Sequence, residues 1–399
     1  MRKKISLGAA ITFMLITAAV TFSLTTVYTM QNFNNKISNI KEREAMYAKL
    51  SEIDTSVRKN YIGAIDEDKL MDSIASGYLR GIGDPYSQYL SAEDYSAYMR
   101  DYEGQLVGIG VEVTGDASGY LRISRVYEGS PAEAAALQKG DLIVSVGGAA
   151  ITEKSVSDAA KAISGEVGTT VSLGIRRELE EFEVELTRRR MEVPTISYRM
   201  IGTLGYIRIT DFTEATVDQF DDALDSLLRQ DAQGIVFDLR DNTGGSVPAL
   251  CNMLDMLVPE GELVSVEYSD GSRTLLARSD SSEVLLPMVT ITNKNTASAS
   301  ELFVQVLKAY DKAPSVGETT YGKGVMQTLF QLSDGSAVNL TNGKTYAADS
   351  ENFDGVGIAP DYEVKLSAEE QERFDELDEN TDPQLAKALS VLTEQIAGN

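Results

Sequence analysis

The chain has 399 residues, 43% of them apolar, and carries 61 acidic against 36 basic side chains, a formal net charge of −25 at pH 7. That length exceeds what one hydrophobic core usually organises, and the charge argues against nucleic acid as a partner, because phosphate binding needs clustered Lys and Arg. With no histidine and only Cys251, the sequence excludes an intrachain disulfide and an imidazole base, and leaves only oxygen ligands for a metal; neither metal nor cofactor is expected.

In chain order, the first element is an uncharged, mostly apolar run from Ile5 to Met30 behind Arg2, Lys3 and Lys4. It is long enough to span a hydrocarbon core of roughly 30 Å, and its basic flank favours a cytoplasmic N-terminus. A cleaved signal peptide is the alternative, but its apolar stretch is usually only about 7 to 15 residues. Residues 1–36 therefore read as a basic flank and single-pass signal anchor at the cell membrane, with the remainder outside the cytoplasm.

Ile37, Ile40, Tyr47, Leu50, Ile53 and Val57 recur at helical spacing and predict an amphipathic helix, which could pair with a partner helix or cover its own domain. Leu70, Ile74 and Tyr78 repeat the pattern, and Asp84-Pro-Tyr-Ser-Gln-Tyr-Leu90 reads as a turn. Residues 37–103 form a helical module on this reading. From 104 to 191 the pattern changes to short strands at Gly108–Val113, Tyr120–Val126, Leu142–Val146 and Val171–Arg176, with helices at Ala132–Leu137 and Val156–Ile163.

After Glu192-Val-Pro194, residues 192–366 alternate strands (Leu204–Ile209, Ile235–Leu239, Val289–Thr292) with helices (Thr216–Leu228, Ser300–Tyr310), predicting an α/β layer with a covered sheet. Ser265–Glu283 reads as a hairpin excursion. Residues 367–399 read as an acidic, solvated terminal helix. The whole is a multidomain α/β protein.

Chemistry concentrates in four segments. Ser298 sits between a strand and a helix, and Ser298 with Glu301 fits the S-x-x-E capping pattern, so an ordinary N-cap is one reading. The other is a nucleophile projecting from the turn, with first-turn N–H groups free to hold an oxyanion. Lys323, between Gly322 and Gly324, is either a surface turn or, if burial drives its pKa from about 10.4 toward neutrality, a general base with Gln327 to orient it. Asp238-Leu-Arg-Asp-Asn-Thr-Gly-Gly245 ends a strand in a glycine turn. It offers either a structural ion pair, Asp238 with Arg240, or an oxyanion donor at Gly244 or Gly245 opposite Ala299. In the β-rich module, Gly108-Ile-Gly110 could capture a peptide carboxylate, with Val156, Ala160 and Ile163 lining a groove, unless that helix is plain core.

Taken together, Asp84-Pro-Tyr-Ser87, Gly108-Ile-Gly110, Gly129-Ser-Pro-Ala132, Gly205-Tyr-Ile-Arg-Ile209, Asp238-Leu-Arg240, Asn242 to Gly245, Ser298-Ala-Ser-Glu301, Gly322-Lys-Gly324, Gln327 and Gly357-Ile-Ala-Pro-Asp361 resemble the carboxy-terminal processing proteases, Ser-Lys peptidases with an embedded PDZ domain. The resemblance implies a PDZ domain over 104–191 and a protease core of crotonase/Clp-like type over 192–366. It also implies Ser298 as nucleophile, Lys323 as base, Gln327 as the residue that positions the lysine, and an oxyanion hole from Ala299 and the Gly244–Gly245 turn. Protein substrates with exposed apolar C-terminal tails would be the partners, and some members dimerise through N-terminal helices. Asn295-Thr296 replaces the Gly-Ser common in the family, which puts the packing of the approach loop in question. A membrane-tethered PDZ adaptor and a non-peptidase hydrolase are the competing readings.

Overall fold

The computed structural model describes residues 7–151 and 156–398. Residues 1–71 and 72–399 form two compact units. In the first, Leu7–Asn60 is one continuous helix, so the amphipathic helix read from residue 37 has no separate start. The anchor read over residues 5–30 begins outside the described residues, and among the described residues no helix is long and apolar enough to cross a membrane.

The second unit is built on a six-stranded sheet in the order Ile196–Ile201, Leu204–Ile209, Ile235–Asp238, Met288–Thr292, Ser315–Gly317 and Tyr362–Glu363. All neighbours are parallel except the first pair. Ile235–Asp238 and Met288–Thr292 are buried at every position, because helices cover both faces. On one face lie the helices Glu214–Arg229, Val247–Asp255 and Ala299–Ala309, with Phe220, Phe237 and Phe303 in one core.

The other face corrects the sequence reading. The helix Pro383–Gly398 is not solvated: Leu385, Ala388, Val391 and Leu392 are buried against Val236, Val289, Ile291 and Val316. These positions share one helical stripe, and each large apolar side chain so buried contributes about 1.5–3 kcal/mol. The acidic stretch before it masks that stripe. At its start, Arg240 Nη1 donates to Asp382 Oδ2 at 2.7 Å and to Gln384 Oε1 at 3.0 Å, while Arg240 also pairs with Asp238 at 2.5 Å, all fully buried. The Asp238–Arg240 ion pair read from the sequence is therefore the tether of the terminal helix.

A second sheet packs beside the first, with Ala337–Ala347 at its centre. Gln88–Leu90, Gly261–Tyr268 and Val325–Gln331 pair with that strand, and Arg273–Ser279 pairs with Gly261–Tyr268. The Ser265–Glu283 excursion is therefore a hairpin whose inner strand buries Val264 and Val266. Gln88–Leu90, read as part of a turn, is a strand of this sheet.

The β-rich module is an antiparallel sheet of Val111–Gly115, Leu121–Val126, Leu142–Val146, Thr170–Arg177 and Glu180–Thr187, with Ala149–Ala150 beside Leu142–Val146. The strand read at Gly108–Val113 is interrupted: Gln105–Gly108 pairs instead with Arg189–Glu192. The break falls at Gly110, whose φ of 82° turns the chain and where a Cβ would fall 2.2 Å from that of Ser130.

Candidate active site

Three loops leave the same, carboxyl end of neighbouring parallel strands: 239–246, 293–298 and 318–324. In open α/β sheets, ligand sites form at this edge. The first two loops are sewn together. Thr296 Oγ1 donates to Leu239 O at 2.9 Å, Asn295 Nδ2 to Asp241 Oδ1 at 2.7 Å, and Ala297 N to Asn242 O at 3.0 Å. The residues that depart from the family pattern, Asn295 and Thr296, are thus part of the stitching, and Thr296 is fully buried.

Ser298 follows, with φ 57° and ψ −116°. An N-cap serine usually has extended backbone, from which it reaches the N–H groups of the first turn; Ser298 departs from that conformation, while Glu301 makes its half of a capping box by accepting the Ser298 N–H. A non-glycine residue held here stores on the order of 1–3 kcal/mol, which the surrounding packing must sustain. Gly244, at φ 111°, packs against the turn so closely that a Cβ there would lie 2.8 Å from Ser298 Cβ and 3.0 Å from Ala299 N.

Glu301 holds the site from beneath. Its carboxylate is fully buried. Oε2 accepts the N–H of Ser298 at 2.8 Å and of Lys323 at 2.8 Å; Oε1 accepts Thr320 Oγ1 at 2.5 Å and Gly322 N at 2.7 Å. One side chain therefore fixes the backbone of both candidate catalytic residues. Its capping spacing was legible, but its reach to 320–323 was not, since those residues lie about twenty positions on and no local pattern links them.

The glycines flanking Lys323 are packing requirements: a Cβ at Gly322 would meet Gly357 N at 2.8 Å, and one at Gly324 would meet Asp354 N at 2.6 Å. The segment is not a free surface turn. The Lys323 side chain is half-buried, and desolvation holds its pKa below the ordinary lysine value, although Asp84 and Glu301 push it back up. Its Nζ lies 4.8 Å from the centre of the Tyr86 ring. Among the described residues it has no ion-pair partner, and no hydrogen bond joins it to Ser298.

Gln327 stands where the register slips between Met326 and Gln327, a bulge that re-aims a side chain. Its Nε2 donates to Thr341 Oγ1 at 3.0 Å, so it does not hold Lys323 here; its carbonyl end remains for that purpose.

Ser298, Lys323, Gln327 and Gly245 line one cavity of about 260 Å³, closed on its apolar side by Tyr98, Leu302 and Met326 among others. Of the expected oxyanion donors, the Gly244 N–H is donated to Asn242 Oδ1 at 2.9 Å in this structure. Gly245 and Ala299 are the pair that remains, with Gly245 on the cavity wall and Ala299 opening the helix. Tyr98 and Tyr102 belong to the helix Ala92–Tyr102, and Tyr102 Oη meets Ser246 Oγ at 3.1 Å. The segment read as an N-terminal module thus supplies a wall of the site, which its sequence distance concealed.

The peptide groove read in the β-rich module changes. Ile109 and Ile163 are buried core side chains, packed with Leu121, Ile123 and Ala159; apolar residues at helical spacing here mean core. Ala160 is partly exposed, a Cβ at Gly108 would meet open space, and Gly110 is required by Ser130. Val156 begins the helix Val156–Ile163, but its side chain lies outside the described residues. No group of His, Cys, Asp and Glu among the described residues could hold a metal ion.

Models of protein families place this geometry. Peptidase family S41 matches residues 203–364, a PDZ domain matches 122–177, and the N-terminal domain of the activating protease CtpB matches 5–94. The carboxy-terminal processing protease CtpA of Bacillus subtilis (strain 168) is 32% identical over 355 residues, spanning 88% of this chain and 76% of that protein. The chain belongs to the carboxy-terminal processing proteases. A probable CtpA-like serine protease of Staphylococcus aureus (strain N315) is 31% identical over 354 residues, covering 88% of this chain and 70% of its own. Among solved structures, a putative S41 protease from Bacteroides fragilis NCTC 9343 is 21% identical, with a TM-score of 0.54 over 80% of this chain and 90% of that one, and shares the fold. As a carboxy-terminal processing protease, the chain is a serine-type peptidase with a PDZ domain and an S41 protease domain in a multidomain α/β architecture.

Proposed function

We propose that this protease is a membrane-anchored, extracytoplasmic endopeptidase that takes protein C-terminal tails in its PDZ domain and cuts near their ends, with Ser298 as nucleophile and Lys323 as general base. The observation that carries the reading is the shared cavity: a serine in strained backbone faces the same space as a half-buried lysine that no carboxylate neutralises. A lysine stripped of water gives up its proton, and the neutral amine can then accept one from a hydroxyl.

In the reaction, Lys323 takes the Ser298 Oγ proton as the oxygen attacks the scissile carbonyl. Negative charge builds on the carbonyl oxygen and is held by the N–H groups of Gly245 and Ala299, which cost no reorganisation when the charge appears. The lysine then protonates the leaving amine, an ester to Ser298 remains, and water attacks it with the same base. Ser298 and Lys323 are not hydrogen-bonded in this structure, and catalytic bonds commonly tighten only once substrate is bound. The Gln327 carbonyl would receive the lysine amine as it swings toward Ser298.

The apolar wall of Tyr98, Leu302 and Met326 suits small apolar side chains beside the cut bond. The uncharged run behind Arg2, Lys3 and Lys4 supports the anchor, and the apolar stripe of residues 37–57 suits pairing of two copies. The sheet with helices on both faces fits a crotonase/Clp-like core. The test is to incubate the full chain, and its Ser298→Ala and Lys323→Ala variants, with proteins ending in apolar or charged tails and read the products by mass spectrometry. Cleavage near apolar ends by the parent alone is the expected result; cleavage indifferent to the tail would remove the PDZ from the account.

A further inference from the structure

The Asp84-Pro-Tyr-Ser87 turn lies far from the protease motifs in sequence, yet the fold brings it to the lysine. Gln88–Leu90 pairs with the strand Ala337–Ala347 in register Gln88 to Asn339, and Thr341 N donates to Ser87 Oγ at 3.0 Å. Asp84 braces the turn, accepting the Ser87 hydroxyl and, at 3.2 Å, the Tyr86 N–H. The turn is therefore clamped to the strand that also carries Thr341, the partner of Gln327. Its Tyr86 ring lies 4.8 Å from Lys323 Nζ.

We infer that Tyr86 is a positioning residue for Lys323: its ring is the platform on which the ammonium rests, off the serine, until substrate draws the amine across. The inference rests on Lys323 being the base. An aromatic face attracts a cation and not a neutral amine, so the platform opposes the loss of the proton that burial favours.

The other groups around the amine can be named. Asp84, from the same turn, and Glu301, from the helix Ala299–Ala309, both favour the cation. Tyr321, on the lysine's own loop, and Asp354, on the loop that receives Gly324 N, both act on the Tyr86 phenol. Burial and these neighbours push the Tyr86 phenol up to about 12, so it stays neutral while the lysine titrates. None of the carboxylates reaches Nζ as an ion pair among the described residues, and the ring lies over the amine at 4.8 Å.

A base works only when neutral, so kcat/KM should rise with pH through the lysine's pKa. Removing the ring destabilises the ammonium, lowers that pKa and moves the acid limb to lower pH. The experiment compares full-length wild type, Tyr86→Phe, Tyr86→Leu and Lys323→Ala on fluorescein-labelled casein across pH. Separately, in Ser298→Ala full-length protein with and without the Tyr86 changes, the rate of reductive methylation of Lys323 is read by mass spectrometry against pH, which needs no activity. Tyr86→Phe should titrate with wild type, and Tyr86→Leu roughly half to one pH unit lower in both assays. Superimposable curves for Tyr86→Leu and wild type would overturn the platform. Should Tyr86→Leu not fold, the ¹³Cε resonance of Lys323 in the Ser298→Ala protein decides: an upfield ring-current shift retained in Tyr86→Phe supports the inference, and an unshifted resonance overturns it. Activity surviving in Lys323→Ala would remove the base instead, leaving the methylation and resonance results to judge Tyr86 on their own.

Discussion

The proposed nucleophile and the proposed base are held in different ways. Ser298 is fixed from every side: strained φ, an N–H bound by Glu301, Gly244 packed against its Cβ, and an approach loop stitched to 239–242. Lys323 is fixed only in its backbone, through the same Glu301, while its amine touches an aromatic face and no anion. The difference teaches that preorganisation here is selective. On the proposed mechanism, the atom that attacks is placed in advance and the group that moves a proton keeps room to travel, as expected where substrate docking completes the site.

That comparison can be broken at several points. The largest effect is expected for Ser298→Ala and Lys323→Ala, each lowering kcat by roughly 10⁴ or more with little change in melting temperature; a double variant that loses no more than either single one would show that the two act as a unit. Glu301→Gln comes next. It puts an amide donor against N–H and hydroxyl donors, and each buried donor left unpaired costs about 1–3 kcal/mol. Urea unfolding should record a fall of that order or more, alongside weaker catalysis; unchanged stability would mean that the carboxylate is not the tie between the two halves.

Gly244→Ala places a methyl against Ser298 and Ala299 N at a φ that L-residues avoid. A loss of about 100-fold in kcat/KM with KM nearly constant is expected, since a displacement of the order of 1 Å suffices.

The smallest effect lies in the PDZ region. Asp141 is buried, and although desolvation raises its pKa, Arg177 and the Gln138 N–H hold it below the usual 3.8. A depressed carboxylate contributes stability above its unfolded pKa and loses it as pH falls through the lower, folded one. Acid unfolding followed by hydrogen exchange should therefore release this region on going below pH ~3.8, and Asp141→Asn should flatten that dependence.

Much of the layout was legible because local pattern and burial agree in it. Leu142–Val146, Leu204–Ile209 and Val156–Ile163 match elements of the fold residue for residue, since periodicity and glycine punctuation reported their burial directly. Three features were not legible. The stripe of Leu385, Ala388 and Leu392 was hidden behind acidic neighbours. The Gln88–Leu90 strand is too short for alternation to register. Glu301 looked like a cap because its other partners arrive through tertiary folding. At the candidate site, Ser298, Lys323 and Gln327 could be singled out from the sequence, but the donation of the Gly244 N–H to Asn242 could not, because it follows from the tertiary placement of the turn.

The central claim is that Lys323 activates Ser298. Labelling of the full-length protein with a fluorophosphonate, followed by peptide mass spectrometry, tests it most directly. Modification of Ser298 in the parent and its absence in Lys323→Ala, with the fold of both confirmed by circular dichroism, is the predicted result; equal labelling of Ser298 without the lysine would contradict the account.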